Sequence, residues 1–190
     1  MSKRQRDSDK NPSQKKKFKE TQIYFDQFET GIGVIGFYSN EKELLQIEID
    51  STDDKSLYKC NIITNQFKKE LERYFGGLFD ENEWFKTPID YKQGSEFQQA
   101  VWKQMLKIPY GKTTSYGTMA KEMGYTSCYS RAIASACRLN KFPIIIPCHR
   151  VVSSTGEIVG YMGKHGISKQ KFLFNLETTP LSTPKKEIDT

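Results

Sequence analysis

The apolar residues of this chain change their repeat near residue 64. Before that point, Ile23-Tyr24-Phe25, Val34 to Tyr38 and Leu44 to Ile49 are short runs rich in β-branched and aromatic residues. The turn residues Glu29-Thr30-Gly31 and Ser39-Asn40 separate them, which is the pattern of a small antiparallel sheet. From Thr64 to Phe75 the apolar positions 67, 71, 74 and 75 fall at helical spacing, and Gly76-Gly77 stops the run. A largely polar stretch, Asp80 to Gly94 with Pro88 inside it, then precedes a second helical pattern. Ser95 stands as N-cap, and Phe97, Ala100, Val101 and Met105 predict a helix over 95–106. A sheet-forming start followed by a helical remainder reads as a mixed, α+β chain.

With 190 residues there is room for one ordinary domain or two small ones. The change of pattern predicts four parts: a basic tail over 1–20, an α/β segment over 21–94, a mainly helical segment over 95–177 and a loose end over 178–190. At 36% apolar and 13% aromatic the chain has enough to form a core, which excludes wholesale disorder. The tail is the exception, since its one aromatic is Phe18. The cysteines at 60, 128, 137 and 148 are too few and too irregular for a disulfide scaffold. No window reaches membrane-spanning length, and the start lacks the apolar stretch of a secretory signal. A soluble protein of a reducing, intracellular compartment is the expectation.

Charge is unevenly divided. Residues 21–94 carry 8 Lys/Arg against 14 Asp/Glu, whereas residues 95–177 carry 11 against 4. A basic second half suits a polyanionic partner such as nucleic acid, because phosphate contacts supply most non-specific affinity. In the tail, Lys3-Arg4 and Lys15-Lys16-Lys17 are spaced as the two clusters of a nuclear import signal. A flexible arm adding DNA affinity is the other reading of the same residues.

Within the second half, Ser115 precedes apolar positions 116, 119, 120 and 123, Gly124 follows, and Ser127 caps a further run through Leu139. Helix, short Gly turn, helix is the helix-turn-helix pattern, whose second helix meets DNA. On that helix Tyr129, Ile133, Ala136 and Cys137 share one face, while Arg131, Ala134, Ser135 and Arg138 share the other. The outward face is basic and small, so the backbone could approach a narrow groove.

The run Ile144-Ile145-Ile146-Pro147-Cys148-His149-Arg150-Val151-Val152 reads as strand, tight turn, strand, with a Cys and a His at the turn. The reactive form of cysteine is the thiolate, so Cys148 needs a group to take its proton. Adjacent side chains diverge, and a water bridging Cys148 to His149 is the economical relay. Such a relay wants a carboxylate on the other imidazole nitrogen, and Glu96, Glu122, Glu157 and Glu177 are the acids of this segment.

Taken with Asn140 and Pro143 before it and Gly156, Gly160, Tyr161 and Gly163 after it, Pro147-Cys148-His149-Arg150-Val151-Val152 resembles the active-site signature of the O6-alkylguanine-DNA alkyltransferases. Phe97-Gln98-Gln99-Ala100-Val101-Trp102, Ile108-Pro109-Tyr110-Gly111 and Thr114-Ser115-Tyr116 are similar to the same family in order and spacing. The match is close over 95–177 and looser before it. The resemblance implies a small RNase H-like sheet and helix followed by a winged-helix-like domain with the helix-turn-helix. It also implies a monomer that flips the damaged nucleotide of duplex DNA and moves the alkyl group from guanine O6 to cysteine sulfur, without cofactor, with O4-alkylthymine as a second candidate substrate.

By the same resemblance, Cys148 is the acceptor, His149 takes its proton through water and Glu177 orients His149. Tyr116 donates toward a guanine ring nitrogen, Arg131 fills the gap left by the flipped base, and Ser130, Ala132, Ser135 and Arg138 join it on the DNA. Asn140 braces the turn, Tyr161 walls the pocket, and main-chain groups near Val151 and Met162 read the base edge. Cys128 and Tyr129 stand where the family has small or polar residues, and Met162 is larger than usual there. The structural zinc of some members cannot be built here, because the first segment holds only Cys60 and no His. Two other readings compete: a lesion binder like the alkyltransferase-like proteins, which lack the cysteine, and a helix-turn-helix regulator, which would leave Cys148, His149 and Tyr116 idle.

Overall fold

Residues 22–80, 82–158 and 166–179 are described by the structure, a computed structural model. Strands β1 (Tyr24–Thr30), β2 (Gly33–Ser39) and β3 (Leu44–Ile49) form an antiparallel sheet in that order. The β1–β2 register ends at Thr30 opposite Gly33, so β1 runs through Thr30 and the turn is Gly31-Ile32. Gly31 lies against the Phe172 ring, where an added Cβ would come within 2.6 Å. Phe25, Ile35, Phe37, Leu44 and Ile47 are buried.

Helix α1 spans Ile62–Phe75, beginning two residues before the predicted start. Asn61 explains the difference: its side chain accepts from Thr64 N while the Thr64 hydroxyl accepts from Asn61 N. The buried residues Ile63, Phe67, Leu71 and Tyr74 make the stripe that faces the core. Gly77, at φ 68°, closes the helix, with Leu78 N on the Arg73 carbonyl and Gly77 N on that of Tyr74.

Helix α2 (Glu96–Met105) is capped by Ser95 with Gln98, and α3 (Tyr116–Glu122) by Ser115, as the sequence predicts. A 3-10 turn, Ser127–Tyr129, runs directly into α4 (Ser130–Arg138). Ser127 is therefore not the helix cap: its carbonyl accepts from Ser130 Oγ at 2.6 Å, and no side chain caps α4. Nor does Tyr129 join the buried face of Ile133, Ala136 and Cys137. It is 42% exposed and stacks on Tyr125, with ring centres 4.5 Å apart.

The predicted strand over Ile144–Ile146 is a buried turn instead. Pro143 and Ile146 make an isolated bridge, Ile144 has φ 76°, and Ile146 N donates to the Phe142 carbonyl at 2.9 Å. Three consecutive apolar β-branched residues mimic a strand in sequence, but here burial alone explains them. After it come a 3-10 turn, Cys148–Arg150, and β5 (Val151–Val152), which pairs in parallel with β4 (Thr114–Ser115). The last described helix, α5, is Gly166–Thr178. One apolar cluster runs from Phe37 and Phe67 through Trp102 and Met105 to Ile133, Ile146 and Leu173. Each such side chain contributes about 1.5–3 kcal/mol on leaving water. Among the described residues no helix is long and apolar enough to cross a membrane.

Candidate active site

Cys148 opens the 3-10 turn and is buried. Asn140, just past α4, accepts from Phe142 N at 2.9 Å through Oδ1 and donates from Nδ2 to the Ile146 carbonyl at 2.9 Å. The same Nδ2 donates to Cys148 Sγ at 3.1 Å. A donor aimed at sulfur favours the thiolate over the thiol, because the anion is the stronger acceptor. Asn140 thus both braces the turn and touches the Cys148 sulfur. From α5, Gln170 Nε2 donates to the carbonyls of His149 and Val151 at 2.9 and 3.2 Å. The β4–β5 pairing sets Ser115 against Val152, which brings the start of α3 and Tyr116 to the same turn. Burial, and then the neighbouring Cys137 and Cys148, push the Tyr116 hydroxyl up to about 12, so it stays a proton donor at neutral pH.

The His149 ring is fully buried, with Nε2 2.7 Å from Glu177 Oε1. Of the four candidate acids, Glu177 is the one that meets it. Glu122 instead accepts from Gln104, and Glu157 from Thr155. Burial holds His149 below its ordinary ionisation range, with the Glu177 charge opposing. A neutral imidazole whose Nε2–H donates to Glu177 carries its lone pair on Nδ1, which is then the nitrogen able to accept a proton.

Glu177 is the hub. Oε1 accepts from His149, from Tyr74 OH at 2.7 Å and from Arg150 Nη2 at 2.9 Å; Oε2 accepts from Arg150 Nε at 2.8 Å and from Gly111 N at 3.0 Å. Burial works against its ionisation, but His149 and the bidentate Arg150 outweigh it and hold the carboxyl well below the usual range. With His149 neutral, Arg150 supplies the balancing charge. Arg150 also donates to the Ile108 carbonyl at 2.7 Å and lies between the Trp84 and Tyr110 rings, 5.5 and 5.6 Å from their centres.

Sequence reasoning missed Arg150, Tyr74, Gly111 and Gln170 as members of this centre. Arg150 and Gly111 were in view as parts of motifs without a role. For Tyr74 there was one signal: a tyrosine on the apolar stripe of a helix must bury a hydroxyl that needs a partner. Arg131, Ala132 and Arg138 are exposed on α4, and Ser130 and Ser135 are partly so. Val151 is buried. Tyr161 and Met162 lie outside the described residues, as do the basic clusters of the tail. Among the described residues no group of three or more His, Cys, Asp or Glu side chains is placed to hold a metal ion.

Residues 96–179 match the family model of the 6-O-methylguanine DNA methyltransferase DNA-binding domain. A methylated-DNA–protein-cysteine methyltransferase of Methanosarcina barkeri is 33% identical over 170 residues, covering 84% of this chain and 99% of that protein. One of Mycobacterium bovis is 42% identical over 108 residues, 57% of this chain and 61% of its own length. In structure, the Mycobacterium tuberculosis O6-methylguanine methyltransferase superposes with a TM-score of 0.70 at 28% identity, over 82% of this chain and 93% of that one. A second M. tuberculosis structure, of the protein OGT in complex with DNA, gives 0.69 at 30% identity, over 81% and 92% of the two chains. The second half of this chain is accordingly a DNA-binding domain. On the full-length likeness to the archaeal protein, the chain belongs to the methylated-DNA–protein-cysteine methyltransferase family.

Proposed function

We propose that the chain repairs duplex DNA by moving the alkyl group of O6-alkylguanine to the sulfur of Cys148, once per molecule. The observation that carries the reading is the buried chain of contacts from Asn140 to Cys148 and from His149 to Glu177 and Arg150. In this reading His149 takes the thiol proton through a water. The sulfur attacks the alkyl carbon, the S–C bond forming as the C–O6 bond breaks. The released electron pair returns to the purine, and Tyr116 donates to a ring nitrogen so that guanine is restored uncharged. The proton from His149 then replaces the one Tyr116 gave up, and the count closes. A thioether is stable to water, so nothing regenerates the thiol.

Arg131, exposed near the start of α4, would occupy the space of the flipped nucleotide, with Ser130, Ala132, Ser135 and Arg138 along the groove. The Val151 main chain, with Tyr161 and Met162, completes the pocket in this reading, and residues 21–94 are the α/β part whose apolar residues join the core of the transfer half. The protein works as a monomer without cofactor. Its tail directs it to the nucleus, which deletion of residues 1–20 tests: unchanged nuclear residence would sink that part. For the chemistry, Cys148→Ala is expected to bind lesion-bearing duplex with ordinary affinity and to transfer nothing. Transfer that survives the substitution would overturn the assignment.

A further inference from the structure

Tyr74 stands on α1, in the half of the chain outside the matched DNA-binding domain, yet its hydroxyl reaches Glu177 across a sequence separation of 103 residues. The side chain is 1% exposed. Its ring is boxed by Phe75, Phe79, Phe85 and Tyr110, at centre distances of 5.2, 5.6, 5.5 and 6.2 Å. The oxygen therefore has one place to be. Glu177 Oε1, which it meets at 2.7 Å, is the atom that also meets His149 Nε2 at 2.7 Å. Burial first, and then the Glu177 charge, raise the phenol far above its ordinary range, so it remains a donor at any working pH.

We propose that Tyr74 is a positioning residue of the transfer centre, by which the first half of the chain sets how strongly Glu177 supports a protonated His149. The inference rests on the reading of Cys148 and His149 given above. A carboxylate oxygen shared with a phenol has less charge to offer the imidazolium that forms when His149 takes the thiol proton. Among the described residues, the groups facing this pair include Tyr74 from α1, Tyr110 and Gly111 N from the loop after α2, Cys148 and Arg150 from the turn, and Glu177 itself with the uncharged Gln170 from α5. Arg150 is held by both carboxylate oxygens and a backbone carbonyl. Tyr74 is a neutral side-chain donor on Oε1, and its removal leaves that oxygen to His149 and Arg150 Nη2.

The test is the pH dependence of iodoacetamide labelling at Cys148, read from the mass of its peptide, in full-length protein and in Tyr74→Phe. This reads the thiolate without DNA, so it stands apart from whether transfer from DNA occurs. Loss of the phenol should strengthen the His149–Glu177 contact, and the midpoint of the labelling curve should move to lower pH by about half a unit, roughly threefold faster labelling on the acid limb. A purely structural role predicts slower or unchanged labelling with an unmoved midpoint, and either that or an alkaline shift would overturn the inference. Site-specific incorporation of 3-fluorotyrosine at position 74, which keeps the hydroxyl and makes it a stronger donor, gives a second reading should the Phe variant not fold. There the midpoint should move to higher pH; an unmoved midpoint or an acid shift would overturn the inference.

Discussion

Two oxygens of Glu177 receive five hydrogen-bond donors, and one amide of Asn140 ties a turn to a sulfur. Each makes a distinct prediction. Glu177→Gln keeps the shape of the hub but removes the charge that supports protonated His149, so single-turnover transfer should fall by about tenfold or more while Cys148 is retained. Asn140→Ala leaves Phe142 N without its buried partner, while the Ile146 carbonyl keeps Cys148 N. Urea unfolding should show a loss of about 1–3 kcal/mol, from the one orphaned amide. Its transfer rate should fall as well, because Sγ loses a donor; a variant that loses stability but transfers at the ordinary rate would remove Asn140 from the chemistry. Cys148, His149 and Asn140 were legible as members of one ordered motif set, and Glu177 only through the family resemblance, since the residues alone left four acids open. Tyr74 was not, since nothing in sequence brings together residues more than a hundred apart.

At the scale of elements, caps decide what could be read. Ser95 and Ser115 announce α2 and α3 because each side chain accepts from the third residue on, at 3.3 Å from Gln98 N and 3.0 Å from Thr118 N. Asn61 does the same for α1, but Ile62 and Ile63 resemble the end of a strand and concealed the helix start. The turn at Ile144 was unreadable for a different reason: a positive φ at a β-branched residue is imposed by its surroundings, here the Asn140 clamp and the core, against local preference. Gly111 shows the reverse case. Its φ is 67°, and a Cβ added there would stand 2.8 Å from the Glu177 carbonyl oxygen, which leaves room for glycine alone. Gly111→Ala should cost about 1–3 kcal/mol in thermal unfolding and slow transfer by displacing the end of α5. For α4, Arg131→Ala should lower transfer from duplex DNA about tenfold or more and leave transfer from free O6-benzylguanine unchanged. Equal losses on both substrates would remove Arg131 from the DNA step.

Across the whole molecule, acid should be the vulnerable side. His149 ionises below its ordinary range in the fold, so the unfolded chain takes up that proton first; stability is full above about pH 6.5 and declines as pH falls below it. Glu177 is also held low, and its contribution is lost further down, as pH falls below about 4.3. Denaturant midpoints measured from pH 7.5 to 4 should fall in the upper window for the parent and not for His149→Gln. The two halves of the chain also share one core: Tyr74 and Leu71 of α1 pack in the cluster that holds Trp102 and Cys148. The change of repeat near residue 64 separated the three-stranded sheet from the helices, yet it did not announce the short β4–β5 pair and carried no information about that shared interior, which depends on shape complementarity between distant faces.

The central claim is that Cys148 accepts one alkyl group and keeps it. Intact-protein mass after mixing with excess O6-methylguanine duplex, followed by peptide mapping, tests it most directly. The account predicts one added methyl per molecule, on the peptide carrying Cys148, with no further transfer however much substrate remains. An unmodified protein that binds the lesion, or a methyl on Cys60, Cys128 or Cys137, would contradict it.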